Sequence, residues 1–207
     1  MARRAGAPEV SAGSMADIAF LLLIFFLVTT TIETDAGLDR MLPPMEPPTE
    51  EPPIIKQKNI FTVNINRNGQ LLVEDEILPI NKLREKAIAF LDNGGAPQGS
   101  PDYCSYCKGK RNAESSDNPT KAIISLKNDR ETKYSTYITV QNELVGAYNE
   151  LRNRESKRLF GKEYVDMEAE YLNPETDDSV KEELKEKVTR IQGLYPQKLS
   201  EAETSKE

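Results

Sequence analysis

The chain has 207 residues, with 27 Lys and Arg against 34 Asp and Glu, and its formal net charge of −7 argues against a nucleic-acid binder, which needs a basic face. It contains no His, which removes histidine triads, histidine general bases and histidine metal sites, and its 2 Cys are too few for a disulfide scaffold or a four-thiolate zinc site. A mean hydropathy of −0.58 describes a well-solvated polypeptide on average, and the average conceals an uneven distribution.

Residues 1–10 form a short tail carrying Arg3 and Arg4. Ile18 to Val28 then reads IAFLLLIFFLV, an unbroken apolar run with mild flanks. Taken from Ser11 to Ile32, the segment makes a helix about 33 Å long at ~1.5 Å per residue, enough to cross a hydrocarbon core of ~30 Å. The run alone is too short, so a transmembrane helix over 11–32 must take in Asp17 or leave it at the membrane edge. Two readings compete. A secretory signal peptide has a similar start, but Thr29-Thr30-Thr31-Ile32-Glu33 is a poor cleavage site. A buried core helix usually keeps a polar face, and this run has none. Arg3 and Arg4 precede the span while Glu33, Asp35 and Asp39 follow it, so the positive-inside rule puts the N-terminus in the cytoplasm and the remainder outside.

Asp17 stands out. An ionisable group in a membrane segment costs about 2.5–3.5 kcal/mol on insertion scales. Desolvation raises a carboxyl pKa, so the group lowers that cost by taking up a proton, which is the behaviour a proton relay needs. Helical spacing stacks Leu21, Ile24, Val28 and Thr31 on its face. The residues alone leave a second reading open, in which Asp17 sits at the headgroup boundary or caps a helix that starts after it.

The stretch DIAFLLLIFFLV, followed by an extended LPP element at Leu42-Pro43-Pro44, resembles the transmembrane signature of the ExbD/TolR family. The family pattern is an Asp opening a Leu/Ile/Phe-rich helix, and Asp17 occupies that position. The usual Pro shortly before the Asp is absent, with Gly13, Ser14 and Met15 in its place. The resemblance implies a single-span subunit of a proton-driven motor in a Gram-negative inner membrane. Asp17 would carry the proton, and Thr29, Thr30 and Thr31 would line the path.

Residues 33–58 form a linker. Six Pro lie between Pro43 and Pro53, in PPMEPPTEEPP, so the stretch is expected as extended polyproline II reaching about 80 Å at ~3.1 Å per residue. It reads as a plain spacer. The resemblance adds a docking role for Leu42, Pro43 and Pro44 on the energised partner protein.

An extracytoplasmic α/β (α+β) domain is expected over 59–201. Phe61, Val63 and Ile65 alternate as a half-buried strand, Arg67-Asn68-Gly69 makes a hairpin turn, and Leu71 to Val73 returns. Pro79 and Asn81 open a helix with Leu83, Ala87, Ile88 and Leu91 at helical spacing, ending near Gly94-Gly95. Residues 93–120 are loop-like and resemble an insertion; Cys104 and Cys107 within them read as a local disulfide, with a free dithiol as the alternative. Ala122 to Leu126 is a short strand, and Tyr137, Val140, Leu144, Ala147, Tyr148 and Leu151 mark a long amphipathic helix. The charged stretch 152–193 is expected as a solvated helical extension interrupted near Asn173-Pro174. Gln197 to Ser200 reads as a last strand, which the family pattern pairs at the sheet edge of a dimer, and 202–207 as a disordered tail.

No nucleophile–base pair, phosphate loop or metal cluster is evident, so neither an enzyme nor a cofactor is expected. The resemblance implies an ExbB-like ring partner, a TonB-like protein, and pairing as a homodimer or with a sister subunit. Two alternatives stand beside it: a TolR-like subunit that binds cell wall, and a signal-anchored periplasmic binding module without proton chemistry.

Overall fold

The computed structural model describes residues 12–29 and 55–202. They divide into two units, an N-terminal helix and a folded domain. The helix, α1, spans Ala12–Thr29 and contains neither Pro nor any basic residue.

The domain is built on a five-stranded sheet in the order β3-β2-β1-β4-β5. Its strands are β1 (Ile60–Ile65), β2 (Leu71–Val73), β3 (Glu76–Leu78), β4 (Ile123–Asn128) and β5 (Leu199–Ala202). In β1 the period-two pattern buries Phe61, Val63 and Ile65 on one face, and each such side chain stabilises the fold by about 1.5–3 kcal/mol. The β1–β2 hairpin turns at Asn66, whose Oδ1 accepts from the backbone N–H groups of Asn68 and Gln70. Gly69 follows at φ 77°, which a residue without Cβ adopts freely.

The sequence gives no strand at β3. Only three residues long, β3 buries Leu78 alone and leaves Ile77 76% exposed, so it lacks an alternating face. It forms because Glu74 and Asp75 both take positive φ (46° and 68°), the geometry of a tight hairpin turn, and this sets Val73 opposite Glu76. β4 lies parallel to β1, and β5 lies parallel to β4. The last strand therefore pairs within its own chain, two residues beyond the expected position.

Helices α2 (Leu83–Leu91) and α3 (Tyr134–Phe160) cover the apolar face of the sheet. Leu83, Ala87, Phe90 and Leu91 of α2 meet Val140, Leu144, Ala147, Tyr148 and Leu151 of α3 in one core with the strands. The expected solvated extension over 152–193 is not what forms. α3 runs on to Phe160 and stops at Gly161, left-handed at φ 73°. Two further helices, α4 (Tyr164–Leu172) and α5 (Asp178–Leu194), then close a second core from Tyr164, Met167, Leu184, Val188 and Ile191. These apolar positions recur three and four residues apart among charges, so one narrow stripe is buried while the composition stays polar. The break at Asn173–Asp177 lies where the sequence predicts it.

Residues 33–54 of the expected linker and 203–207 of the expected tail lie outside the described residues. Of the rest of the linker, Gln57 and Lys58 belong to a helical turn, Gln57–Asn59, that opens the domain.

Candidate functional site

Helix α1 is apolar on every side. Residues 12–26 are all exposed, including Phe20, Leu23, Phe25 and Phe26, each at least 60% exposed. Such a helix cannot rest one face on a core and leave another in water. Asp17 is its only ionisable residue. The helix begins at Ala12, so Asp17 sits in its second turn and is not the N-cap residue. Leu21 and Ile24 follow on the same face at spacings of four and seven. The eighteen residues rise about 27 Å at ~1.5 Å each. Among the described residues, no helix is long and apolar enough to cross a membrane. The expected span extends past α1 at both ends, and Ser11 and Thr30 to Ile32 lie outside the described residues. Thr29 is the last residue of α1, while Thr31, Leu42, Pro43 and Pro44 are also undescribed.

The remaining candidates lie in the folded domain. Cys104 and Cys107 are joined by a disulfide, both buried, in the loop between α2 and β4. Arg111 donates to the carbonyls of Cys104 (3.1 Å) and Cys107 (3.2 Å), which fixes the loop around the bridge. Among the described residues, no group of three or more acidic or Cys side chains is placed to hold a metal ion.

Sequence reasoning missed a buried polar cluster at the end of α2. Asp92 caps that helix and receives a two-pronged contact from Arg154, at 2.6 and 2.8 Å, with a third hydrogen bond donated by the Tyr195 hydroxyl at 2.7 Å. Arg152 donates twice to the Tyr195 carbonyl, at 3.0 and 2.8 Å. The fully buried Glu155 lies between Arg154 (3.2 Å) and Arg158 (2.7 Å). The hydrogen bond to Asp92 holds Arg154 above even the ordinary guanidinium range. Burial first, then the carboxylate of Asp92, keeps the Tyr195 hydroxyl protonated far above its usual pKa. Every carboxylate in the cluster meets a cation, so it clamps α2, α3 and the end of α5 together. One sequence signal pointed to it. Arg152 and Glu155 stand four and seven residues after the buried Tyr148, on the continuation of the apolar stripe.

α1 differs in kind: it sets one carboxyl, Asp17, on an otherwise apolar helix. In comparisons with known proteins, the family model described as biopolymer transport protein ExbD/TolR matches residues 3–152, which takes in α1, the loop with the disulfide and the domain as far as the middle of α3. No curated protein matches the chain significantly.

Proposed function

The chain belongs to the ExbD/TolR family of biopolymer transport proteins, and from that premise we propose that it is the proton-coupled subunit of an inner-membrane motor. The family consists of membrane-anchored, non-enzymatic proteins that couple energy to transport in complexes with ExbB- and TonB-type partners.

In this reading residues 11–32 form the membrane span, with residues 1–10 in the cytoplasm and the domain in the periplasm. The single observation that carries it is one carboxyl, Asp17, in a helix apolar on every side. Asp17 exchanges protons at the interface with an ExbB-like ring. Protonated, the helix is neutral and tolerates low dielectric; ionised, it seeks a polar neighbour. Alternating between the two drives the helix past successive ring subunits. A gradient supplies about 2.3 kcal/mol per charge per 100 mV for this. Thr29, Thr30 and Thr31 line the proton path. The Pro-rich linker, through Leu42, Pro43 and Pro44, engages a TonB-like protein that serves outer-membrane transporters. The chain pairs through its domain with itself or with a sister subunit.

The test is Asp17→Asn in cells carrying the ring partner, with membrane levels checked by immunoblot. Loss of proton-dependent uptake at normal abundance supports the motor. Retention of uptake overturns it in favour of a signal-anchored binding module. Capture of the domain by cell wall rather than by a TonB-like protein assigns a TolR-like motor instead.

A further inference from the structure

The loop 93–120 makes contacts in two directions that the family reading does not use. On one side it holds the segment that enters the domain. Asp117, whose side chain is 4% exposed, accepts from Lys58 Nζ at 2.6 Å and lies 3.6 Å from Lys56 Nζ. Asn59 and Asp117 pair reciprocally: the backbone N–H of Asp117 donates to Asn59 Oδ1 at 2.8 Å, and Asn59 Nδ2 donates to Asp117 Oδ2 at 3.2 Å. Lys58 also donates to the carbonyl of Ala113 at 3.0 Å. Buried charge-assisted hydrogen bonds of this kind are about twice as strong as neutral ones.

On the other side the loop holds the approach to the last strand. Tyr106, between the bridged cysteines, donates to the carbonyl of Leu194 at 2.8 Å and sets its ring edge-on to Tyr195, with centroids 5.6 Å apart. Burial, then Glu155 and Asp92, pushes the Tyr106 hydroxyl up to about 12, so it stays a donor at any physiological pH. Lys198, just before β5, donates to the carbonyl of Thr120 at 2.6 Å.

Between these two sides the loop is braced. Asn93 Nδ2 donates to the carbonyls of Asn112 and Ser116, both at 2.8 Å. The backbone N–H groups of Gly95 and Ala96 donate to the carbonyls of Ser116 and Asp117. Arg111 links this brace to the bridge, its backbone N–H donating to the carbonyl of Asn93 and its guanidinium to those of Cys104 and Cys107. One path thus runs from Lys58 through Asp117, Asn93, Arg111 and the disulfide to Tyr106 and Leu194.

We propose that the disulfide-stapled loop 93–120 is a clasp that couples the entry of the chain into the domain to the terminal edge strand β5, so that release at Lys56–Asn59 loosens β5. The clasp needs no proton gradient, so its failure and that of the motor reading are distinguishable. In the motor reading it passes tension on the linker to an edge of the sheet.

The experiment is hydrogen–deuterium exchange on the full chain in detergent, comparing wild type, Asp117→Ala, Tyr106→Phe and the double variant. Backbone amides of Val63 and Leu126 in the sheet centre report global opening. Asp117→Ala should raise exchange in Leu199–Ala202 by about tenfold or more while the central amides hold, the signature of local rather than global opening. The two substitutions should be non-additive there, because they break one path. Unchanged β5 exchange in Asp117→Ala, additive effects, or a uniform rise that includes the sheet centre would each overturn the clasp.

Discussion

In the domain, Asp92, Asp117 and Glu155 are buried and lie 2.6, 2.6 and 2.7 Å from Arg154, Lys58 and Arg158. In α1, Asp17 shares a helix of eighteen residues with no cation and is surrounded by exposed Leu, Ile and Phe. A buried carboxylate completed by its own chain is a fixed structural element, whose disruption costs stability. A carboxyl set on an apolar helix without a cation from the same helix takes its partners from whatever surrounds that helix. Domain charges are therefore expected to answer to unfolding experiments, and Asp17 to functional ones.

The widest separation is expected at Asp17. Asn in its place should abolish proton-dependent uptake yet change the unfolding free energy of the full chain, from denaturant titration, by no more than the ~0.5 kcal/mol typical of exposed positions. A loss of domain stability in that variant would break the comparison.

Next comes Ile191→Ala in α5. Ile191 is fully buried in the second core, and truncating it should cost about 3 kcal/mol by urea unfolding. A cost below about 0.5 kcal/mol would return 152–193 to a solvated extension.

A smaller, pH-dependent effect is expected at Asp117. Burial alone would raise its pKa, but hydrogen bonds from Lys58 and Asn59 and the charges of Lys58 and Lys56 outweigh burial and hold it below the usual carboxylate range. A depressed folded-state pKa contributes stability that is present above the unfolded value of about 3.9 and lost as pH falls through the folded value. Urea midpoints measured from neutral to acid pH should thus fall more steeply below about pH 4 in wild type than in Asp117→Asn.

The smallest change belongs to Arg67→Gln. Arg67 and Glu131 are 3.9 Å apart and both largely exposed, so the loss should stay under about 0.5 kcal/mol by the same measurement.

Much of this was legible where the signal is local. The alternation of Phe61, Val63 and Ile65, the Asn-Gly turn, and the stripe from Val140 to Leu151 each specify an element from a few neighbouring residues. Asp17 was visible because one charge against a run of apolar residues needs no structure to be noticed. Long-range and diluted signals were lost. Gly161 ends α3 through its φ, yet a Gly within a charged helical stretch looks tolerable. The second core rests on Tyr164, Met167, Leu184, Val188 and Ile191, apolar residues spread among acids and lysines. The pairs Lys58–Asp117 and Asp92–Arg154 join distant segments, and charge at a position does not announce burial.

The parallel pairing of β5 with β4 has a consequence for the order of assembly. Parallel neighbours cannot be joined by a tight turn, and here all of α3, α4 and α5 separates them. Closing so long a loop is entropically slow, and the contact forms only once β5 has been made. A polypeptide emerging N-terminus first must therefore hold β1 to β4 with an open edge until Leu199–Ala202 arrives. Truncation just before Leu199 should trap that unfinished sheet.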